Sequence, residues 1–230
     1  MSALRPLAED LWVAERPLRF HGVPIETRMT VVRLMSKMLW VHAPVALTPA
    51  LRAELDALGP VRAVVAPNTY HHLYVKPYVA AYSDAFVYAA PGLEKKRRDV
   101  GFHNRLTDKP QPEWAAELDQ HVVQGLRGLG EVVFFHKASR TLVLTDLLMN
   151  FPPSTPETDW RLRLMLKVDD MDGKLAFARL LRLLAVRDRA ALRRSRDRIL
   201  EWDFDRIVLA HGDVVGTGGK DAFRAAMAWA

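Results

Sequence analysis

The sequence contains no cysteine among its 230 residues. Disulfide bonds are therefore excluded, and any metal ion must be bound by nitrogen and oxygen ligands. Long apolar runs are also lacking, since no segment approaches the roughly 20 uninterrupted apolar residues of a membrane span. Charged residues near the amino terminus, including Arg5, Glu9 and Asp10, exclude the apolar core of a signal peptide. We therefore expect a cytoplasmic protein without a membrane partner.

Internal repeats and low-complexity segments are absent as well, which excludes solenoid and low-complexity classes. Half of the residues are hydrophobic and 26% are charged, so the chain is long and apolar enough to bury a substantial core. We expect one domain spanning residues 1–230.

The net charge of +6 raises the question of an anionic partner. Six arginines lie between Arg187 and Arg198, where Leu192, Ser195 and Ile199 follow at helical spacing. This pattern predicts the solvated face of an amphipathic helix. Because no aromatic residue interleaves with these arginines, single-stranded nucleic acid is not the favoured partner, although it stays an alternative. The run from Lys95 to Arg98 would attract an anionic substrate if it borders the site.

The order of the predicted elements favours an α/β fold. Apolar strands and helices alternate, and hairpins are predicted in both halves, around residues 35–38 and 137–140. Thr48-Pro49 predicts a helix start and Gly59-Pro60 its end. Further helices are predicted near Trp114–Leu126 and over most of Trp160–Glu201. We therefore expect an αββα sandwich: two mixed sheets packed face to face with helices outside.

Polar side chains follow three of the apolar strands directly. They are the segment from Asn68 to His72 after VRAVVA, Asp146 after TLVLT, and His211 with Asp213 after RIVLA. Strand ends at one edge of a sheet bring distant residues together. Taken singly, each is typical of a turn or cap. Together, histidine and carboxylate are the ligands expected for zinc, iron or manganese in a chain without cysteine.

His71 and His72 are neighbours, which constrains any shared role. Neighbours on a strand face opposite sides, so both could not reach one ion there. At the start of a helix they lie about 100° apart, and the bend Pro67-Asn68-Thr69, with Asn68 or Thr69 as cap, permits such a start.

The sequence resembles the metallo-β-lactamase-like superfamily, and within it a domain-of-unknown-function family of DUF4336 type. The resemblance rests on LWVAERPLRF, MTVVRL, LWVHAPV, APNTYHHLY, FFHKASRTLVLTDLL and RIVLAHGD. It implies metal ligation by His72 and His71 in the H-x-H-x-D-H signature, by Asp146 as the bridging aspartate and by His211 as the terminal histidine.

Several positions depart from that signature. Its first two histidines would fall at Pro67 and Thr69, which implies one divalent metal ion (zinc, iron or manganese) in place of two. His136 pairs with Thr141 next to the predicted hairpin turn, and Asp146 lies five strand residues beyond Thr141. At ~3.4 Å per residue, His136 is therefore roughly 17 Å from Asp146 and is not expected to share an ion with it. Glu131 lies opposite Asp146 and is the better candidate for a further ligand or supporting partner. Asp213 and His42 are candidates for the same supporting role.

Two classes of function follow from these residues. The first is a metal-dependent hydrolase of a small-molecule substrate, in which His71, His72, Asp146 and His211 hold one ion that activates water. The second is a non-catalytic or redirected binding protein that keeps the fold and has lost the two-metal site.

Overall fold

A computed structural model describes residues 2–230. The elements, in chain order, are β1 (Arg5–Ala8), β2 (Leu11–Phe20), β3 (Val23–Arg33), β4 (Leu39–His42), α1 (Pro49–Leu58), β5 (Val61–Ala66), α2 (Val75–Ala81), β6 (Phe86–Ala89), α3 (Leu93–Lys96), β7 (Asn104–Arg105), β8 (Leu118–Val122), β9 (Val132–His136), β10 (Thr141–Val143), β11 (Met149–Asn150), α4 (Trp160–Val168), β12 (Leu175–Ala176), α5 (Arg179–Ala185), α6 (Arg189–Leu200), β13 (Arg206–Val208) and α7 (Gly219–Ala226).

Two mixed sheets form the centre of the molecule. The first has seven strands in the order β1 to β7, and the second has four in the order β13-β10-β9-β8. Strands β1 to β4 pair antiparallel and β4 to β7 pair parallel, while β10 pairs antiparallel with β9 and parallel with β13. Strands β11 and β12 form a separate two-stranded ribbon.

The apolar side chains form three main layers of core. Residues of both sheets, with Trp40, Tyr88 and Phe134 among the largest, pack in the cluster between them. The outer side of the seven-stranded sheet packs on α1 and α2. The outer side of the four-stranded sheet packs on α6 and α7. The expected αββα arrangement is therefore confirmed.

Local sequence accounts for several of these elements. Thr48 caps α1 by accepting from the N–H of Leu51 at 3.2 Å, and Pro49 occupies the first turn, where its missing N–H costs nothing. The hairpin β9–β10 has the expected register, with His136 opposite Thr141.

One expectation about helices is wrong. Trp114–Leu126 contains a turn and strand β8, because the free edge of β9 pairs with Leu118–Val122. The helices expected over most of Trp160–Glu201 are present as α4, α5 and α6. The chain turns between α4 and α5 with positive φ at Asp170 and Gly173. The opening strands β1 and β2 had no predicted counterpart. None of the helices within residues 2–230 is long and apolar enough to cross a lipid bilayer.

Candidate metal centre

Three of the candidate ligands converge at the edge of the sandwich where β5, β10 and β13 end. One ligand atom from each of His71, Asp146 and His211 lies within 4.8 Å of the other two. His71 Nε2 is 3.4 Å and His211 Nε2 is 3.5 Å from Asp146 Oδ1. The two imidazole centroids are 5.2 Å apart. Two imidazole nitrogens and one carboxylate oxygen thus surround one small, largely buried volume.

The tautomer of His211 is set by a backbone carbonyl. His211 Nδ1 lies 2.6 Å from the carbonyl oxygen of Glu26 in β3. Because a carbonyl oxygen only accepts, Nδ1 carries the proton and donates it. In the neutral ring, Nε2 is then an acceptor whose lone pair lies near Asp146 Oδ1. Histidines that bind metals are held in this way, with the outer nitrogen donating to a carbonyl or carboxylate.

Asn68 connects the loop that carries His71 to the carboxylate of Asp146. Its Nδ2 donates to Asp146 Oδ2 at 2.6 Å, which leaves Oδ1 for the two histidines. Its Oδ1 accepts from the N–H groups of Tyr70 and His71, both at 2.8 Å. Asn68 therefore caps the turn that carries His71, and the same side chain also orients Asp146. The helix expected to start at His71 and His72 begins only at Val75, and its N-cap Tyr74 makes no side-chain cap.

The charges of the group favour a cation. Burial raises the pKa of Asp146, but His71 and His211 outweigh burial and hold that pKa below its usual range. Burial lowers the pKa of His71, but the Asp146 carboxylate outweighs it and raises the pKa above its ordinary value. Asp146 is thus kept ionised and requires a positive charge beside it. A protonated His71 meets this requirement, and a bound divalent cation meets it with both imidazoles neutral.

Glu131 supports the segment that carries Asp146. Its Oε1 accepts from the N–H groups of Thr145 at 2.7 Å and Asp146 at 3.1 Å, and the Thr145 hydroxyl donates at 2.7 Å. Its Oε2 accepts from Asn68 Nδ2 at 2.7 Å. Burial and the charge of Asp146 both raise the pKa of Glu131. Both carboxylate oxygens of Glu131 thus accept hydrogen bonds from residues around Asp146 and Asn68.

The structure corrects the expectation that His72 is a fourth ligand. His72 Nδ1 accepts from Arg97 Nη1 at 2.8 Å, and the His72 carbonyl oxygen accepts from the same atom at 3.0 Å. A neutral ring that accepts at Nδ1 carries its proton on Nε2, so neither nitrogen has a lone pair free for a metal. Burial and the neighbouring Lys96 and Arg97 lower the pKa of His72 to about 4, which keeps it neutral. The turn before α2 directs only His71 into the group.

The remaining candidates lie outside the group. The Asp213 side chain is exposed, and its backbone contacts Asn150. His42 is buried at the end of β4, stacked on Trp40 and against Phe134, and neither ring nitrogen has a hydrogen-bond partner within residues 2–230. His136 bonds Ser139 at 2.7 Å within the hairpin, as expected for a structural role.

Sequence reasoning missed Arg28, which anchors the loop that carries His211. Arg28 is buried in β3 and donates to the carbonyl oxygens of Leu209 at 2.6 Å and Gly212 at 2.7 Å. It also donates to Glu15 Oε1 at 2.9 Å. The available signal was an arginine directly before the apolar run MTVV, where burial in the strand requires hydrogen-bond partners.

Two facing mixed sheets with helices on both outer sides define the metallo-β-lactamase-like fold. The metallo-β-lactamase from Erythrobacter litoralis superposes with a TM-score of 0.66 at 14% identity, over 99% of this chain and 96% of its own. The DIM-1 metallo-β-lactamase gives 0.66 at 10% identity, over 98% and 96%. The Flv1 flavodiiron core from Synechocystis sp. PCC6803 gives 0.66 at 13%, over 98% and 60%. Because these sequence identities are low, the superpositions show only that the fold is shared.

Residues 8–159, well over half of the chain, match the family described as Domain of unknown function (DUF4336). The chain belongs to that family, as its sequence motifs indicated. No curated protein matches it in sequence. The matched range contains His71 and Asp146 and ends before His211, so the third member of the group lies in the part of the chain beyond the family match.

Proposed function

We propose that this protein is a metal-dependent hydrolase with a one-ion centre formed by His71 Nε2, Asp146 Oδ1 and His211 Nε2. The observation that carries the proposal is the hydrogen bond between His211 Nδ1 and the carbonyl oxygen of Glu26. The Nδ1 proton is directed to Glu26, so the Nε2 lone pair lies 3.5 Å from a carboxylate oxygen that also accepts. In the neutral ring these two acceptors repel each other, and either a proton on Nε2 or a cation bound between them relieves the repulsion.

Three nitrogen and oxygen ligands from one side fit a divalent ion such as zinc, iron or manganese with a position left open. When bound there, such an ion supplies Lewis acidity for activating water and for polarising a carbonyl or phosphoryl oxygen. The residues of the chain have supporting tasks. Asn68 fixes the carboxylate rotamer, Glu131 holds the backbone at Asp146, and the Glu26 carbonyl holds the His211 ring.

The surroundings favour a small anionic substrate. Lys96 Nζ donates to the carbonyl oxygen of Thr69 at 2.7 Å, and Arg97 contacts His72, so basic side chains border the loop that carries His71. We also propose that residues 1–230 act as one domain, because the ligands follow strands of both sheets.

Metal content and affinity test the proposal. Protein purified without chelator is expected to contain about one divalent ion per chain by elemental analysis. Calorimetric titration of the metal-free protein with Zn²⁺ should show one site that His211→Ala and Asp146→Asn abolish. His72→Ala and the exposed His21→Ala should retain it. Failure of any metal to copurify, together with equal stability of the metal-free protein, would refute the centre.

A second function is favoured by Pro67 and Thr69, which occupy the positions of the first two histidines of the superfamily signature. A non-catalytic or redirected binding protein would account for their loss. Turnover separates the two candidates. Metal-loaded wild type should hydrolyse a small ester, thioester, lactone or phosphoester, and His211→Ala should not. Stoichiometric metal binding without turnover of any of these four classes would favour the binding protein.

A further inference from the structure

Helices α4 and α5 expose an unusual amount of apolar surface. Of the twelve large apolar residues that are exposed within residues 2–230, six lie on these two short helices. They are Trp160 (60% exposed), Leu164 (55%), Val168 (43%), Leu180 (45%), Leu183 (67%) and Leu184 (67%). Single exposed leucines are ordinary on a protein surface, but a concentration of this kind marks an interaction site.

The exposed side chains lie in two stripes that adjoin. In α4, Trp160, Leu164 and Val168 are four residues apart and share one side, while Leu162 and Leu166 pack inward against the cluster around Phe151. In α5, Leu180, Leu183 and Leu184 occupy one side in the same way.

Asp169 joins the end of α4 to the start of α5. Its carbonyl oxygen accepts from the N–H of Arg179 at 3.0 Å, and its Oδ1 accepts from the N–H of Leu180 at 2.8 Å. Val168 of the first stripe therefore lies next to the first residues of the second. We call the two stripes together the α4–α5 surface.

The charge of these helices has one sign. Both helices contain basic residues and no acidic ones: Arg161, Arg163, Lys167, Arg179 and Arg182. The acidic residues around them keep their charge but lie at the helix ends, where they are hydrogen-bonded within the fold. Asp159 accepts from the N–H of Arg161, Asp170 pairs with Lys174 at 2.7 Å, and Asp172 accepts from Ser154. The α4–α5 surface is thus an apolar stripe flanked by cations.

We propose that the α4–α5 surface lies on an anionic lipid bilayer, with its leucines and Trp160 inserted at the interface and its arginines and Lys167 among the headgroups. Interfacial helices combine apolar residues, tryptophan and basic residues in this way, and anionic lipids attract each basic residue. The absence of a membrane-spanning helix among the described residues does not bear on such surface binding. The proposal is independent of the metal centre.

A second copy of the chain is a less suitable occupant. In a symmetric dimer the same surface meets itself, so the five cations of each chain would face those of the other, while the acidic residues at the helix ends are already hydrogen-bonded within their own chain. Nucleic acid would match the charge. Exposed leucines, however, form neither hydrogen bonds nor ion pairs with phosphate groups, and only Trp160 could stack on a base.

Sedimentation of the full chain with vesicles tests the proposal. Wild type should bind vesicles that contain phosphatidylglycerol at low salt, should bind phosphatidylcholine vesicles at least about tenfold more weakly, and should lose affinity as salt is added. Leu183→Gln combined with Leu184→Gln should weaken binding at least about tenfold, and so should Arg163→Gln combined with Lys167→Gln. All four side chains are exposed or half-buried, so these variants should fold.

Matched controls separate this surface from the general charge and hydrophobicity of the protein. Met35→Gln changes an equally exposed apolar residue in the β3–β4 turn, and Arg194→Gln removes an exposed arginine from α6. Both should bind as wild type does. Binding that the leucine variant leaves unchanged, or that Arg194→Gln weakens equally, would overturn the proposal. So would a dimer in light scattering that only the leucine variant dissociates, or tighter binding to an RNA oligonucleotide than to vesicles.

Discussion

The side-chain amide of Asn68 lies 2.6 Å from Asp146 Oδ2, and this hydrogen bond determines which carboxylate oxygen is left for His71 and His211. Asn68 also accepts from the backbone of the loop that carries His71. One fully buried side chain thus sets the relative position of two candidate ligands from different sheets. Since the amide has both donors and an acceptor in use, no other residue type of the same size can replace it.

Asn68→Asp should therefore destabilise the protein and weaken metal binding. Aspartate keeps the acceptor for the loop but places a third carboxylate against Glu131 and Asp146, without the donor that joined them. We expect a loss of about 3 kcal/mol in the free energy of unfolding of the metal-free protein, because a buried charge is left uncompensated. Urea denaturation measures the loss. The exposed Asn104→Asp should have little effect, and equal stability of the two variants would contradict the assigned role.

Arg28→Lys should loosen the His211 loop while leaving a positive charge in place. Lysine lacks the planar guanidinium group with which Arg28 donates to the carbonyl oxygens of Leu209 and Gly212 at the same time. We expect Zn²⁺ affinity to fall about tenfold, the effect typical of losing a residue that orients a ligand. Calorimetric titration measures this affinity.

Arg33→Lys is the matched control for Arg28→Lys. Arg33 lies in the same strand as Arg28, at a partly exposed position, and pairs with Asp10 between β1 and β2. Its replacement should leave Zn²⁺ affinity unchanged. Unaltered affinity in Arg28→Lys would show that the His211 loop holds its position without this anchor.

Gly212→Ala should be strongly destabilising because two penalties combine. Gly212 has a φ of +80°, and a Cβ there would collide with the carbonyl group of Asn150. Gly22 has a φ of +83° with open space around it, so Gly22→Ala reports the backbone strain alone. We expect a loss of about 1 kcal/mol for Gly22→Ala and of about 3 kcal/mol for Gly212→Ala in chemical denaturation. Similar losses would show that the Asn150 segment yields to the added methyl group.

His42 should make the stability of the metal-free protein depend on pH in acid. Burial, and to a lesser degree His71, lower the pKa of His42 to about 3. Since the unfolded chain then takes up the proton first, the stability contributed by neutral His42 is present above pH 6.5 and is lost as pH falls toward about 3. The slope from this one group is at most about 1.4 kcal/mol per pH unit.

His42→Phe should remove that part of the slope and retain the stacking on Trp40. Denaturation in the presence of a chelator, at a series of pH values between 7 and about 4, measures the difference between variant and wild type. The exposed His21→Phe should follow the wild-type curve. Parallel curves for His42→Phe and wild type would assign the acid sensitivity to other groups.

Much of the candidate site follows from local sequence patterns. The apolar strands before His71, Asp146 and His211 are recognisable because buried parallel strands have continuous apolar runs. The register of β9 and β10 follows from the hairpin turn, and it correctly separated Glu131 from His136. The helix expected at Trp114–Leu126 was wrong because pairing with the free edge of β9 outweighs local helix propensity.

The sequence by itself determined the fold class, the absence of thiolate ligands and the strand ends at which polar residues gather. Only the tertiary structure decided which of two adjacent histidines enters the group, because that depends on the bend at Asn68 and on the contact between Arg97 and His72. It also revealed Arg28 and the Glu26 carbonyl, whose partners near His211 are more than 180 residues away in the chain. Hydrogen bonds at such separations leave no periodic pattern in a sequence, since they exist only after the two sheets have packed.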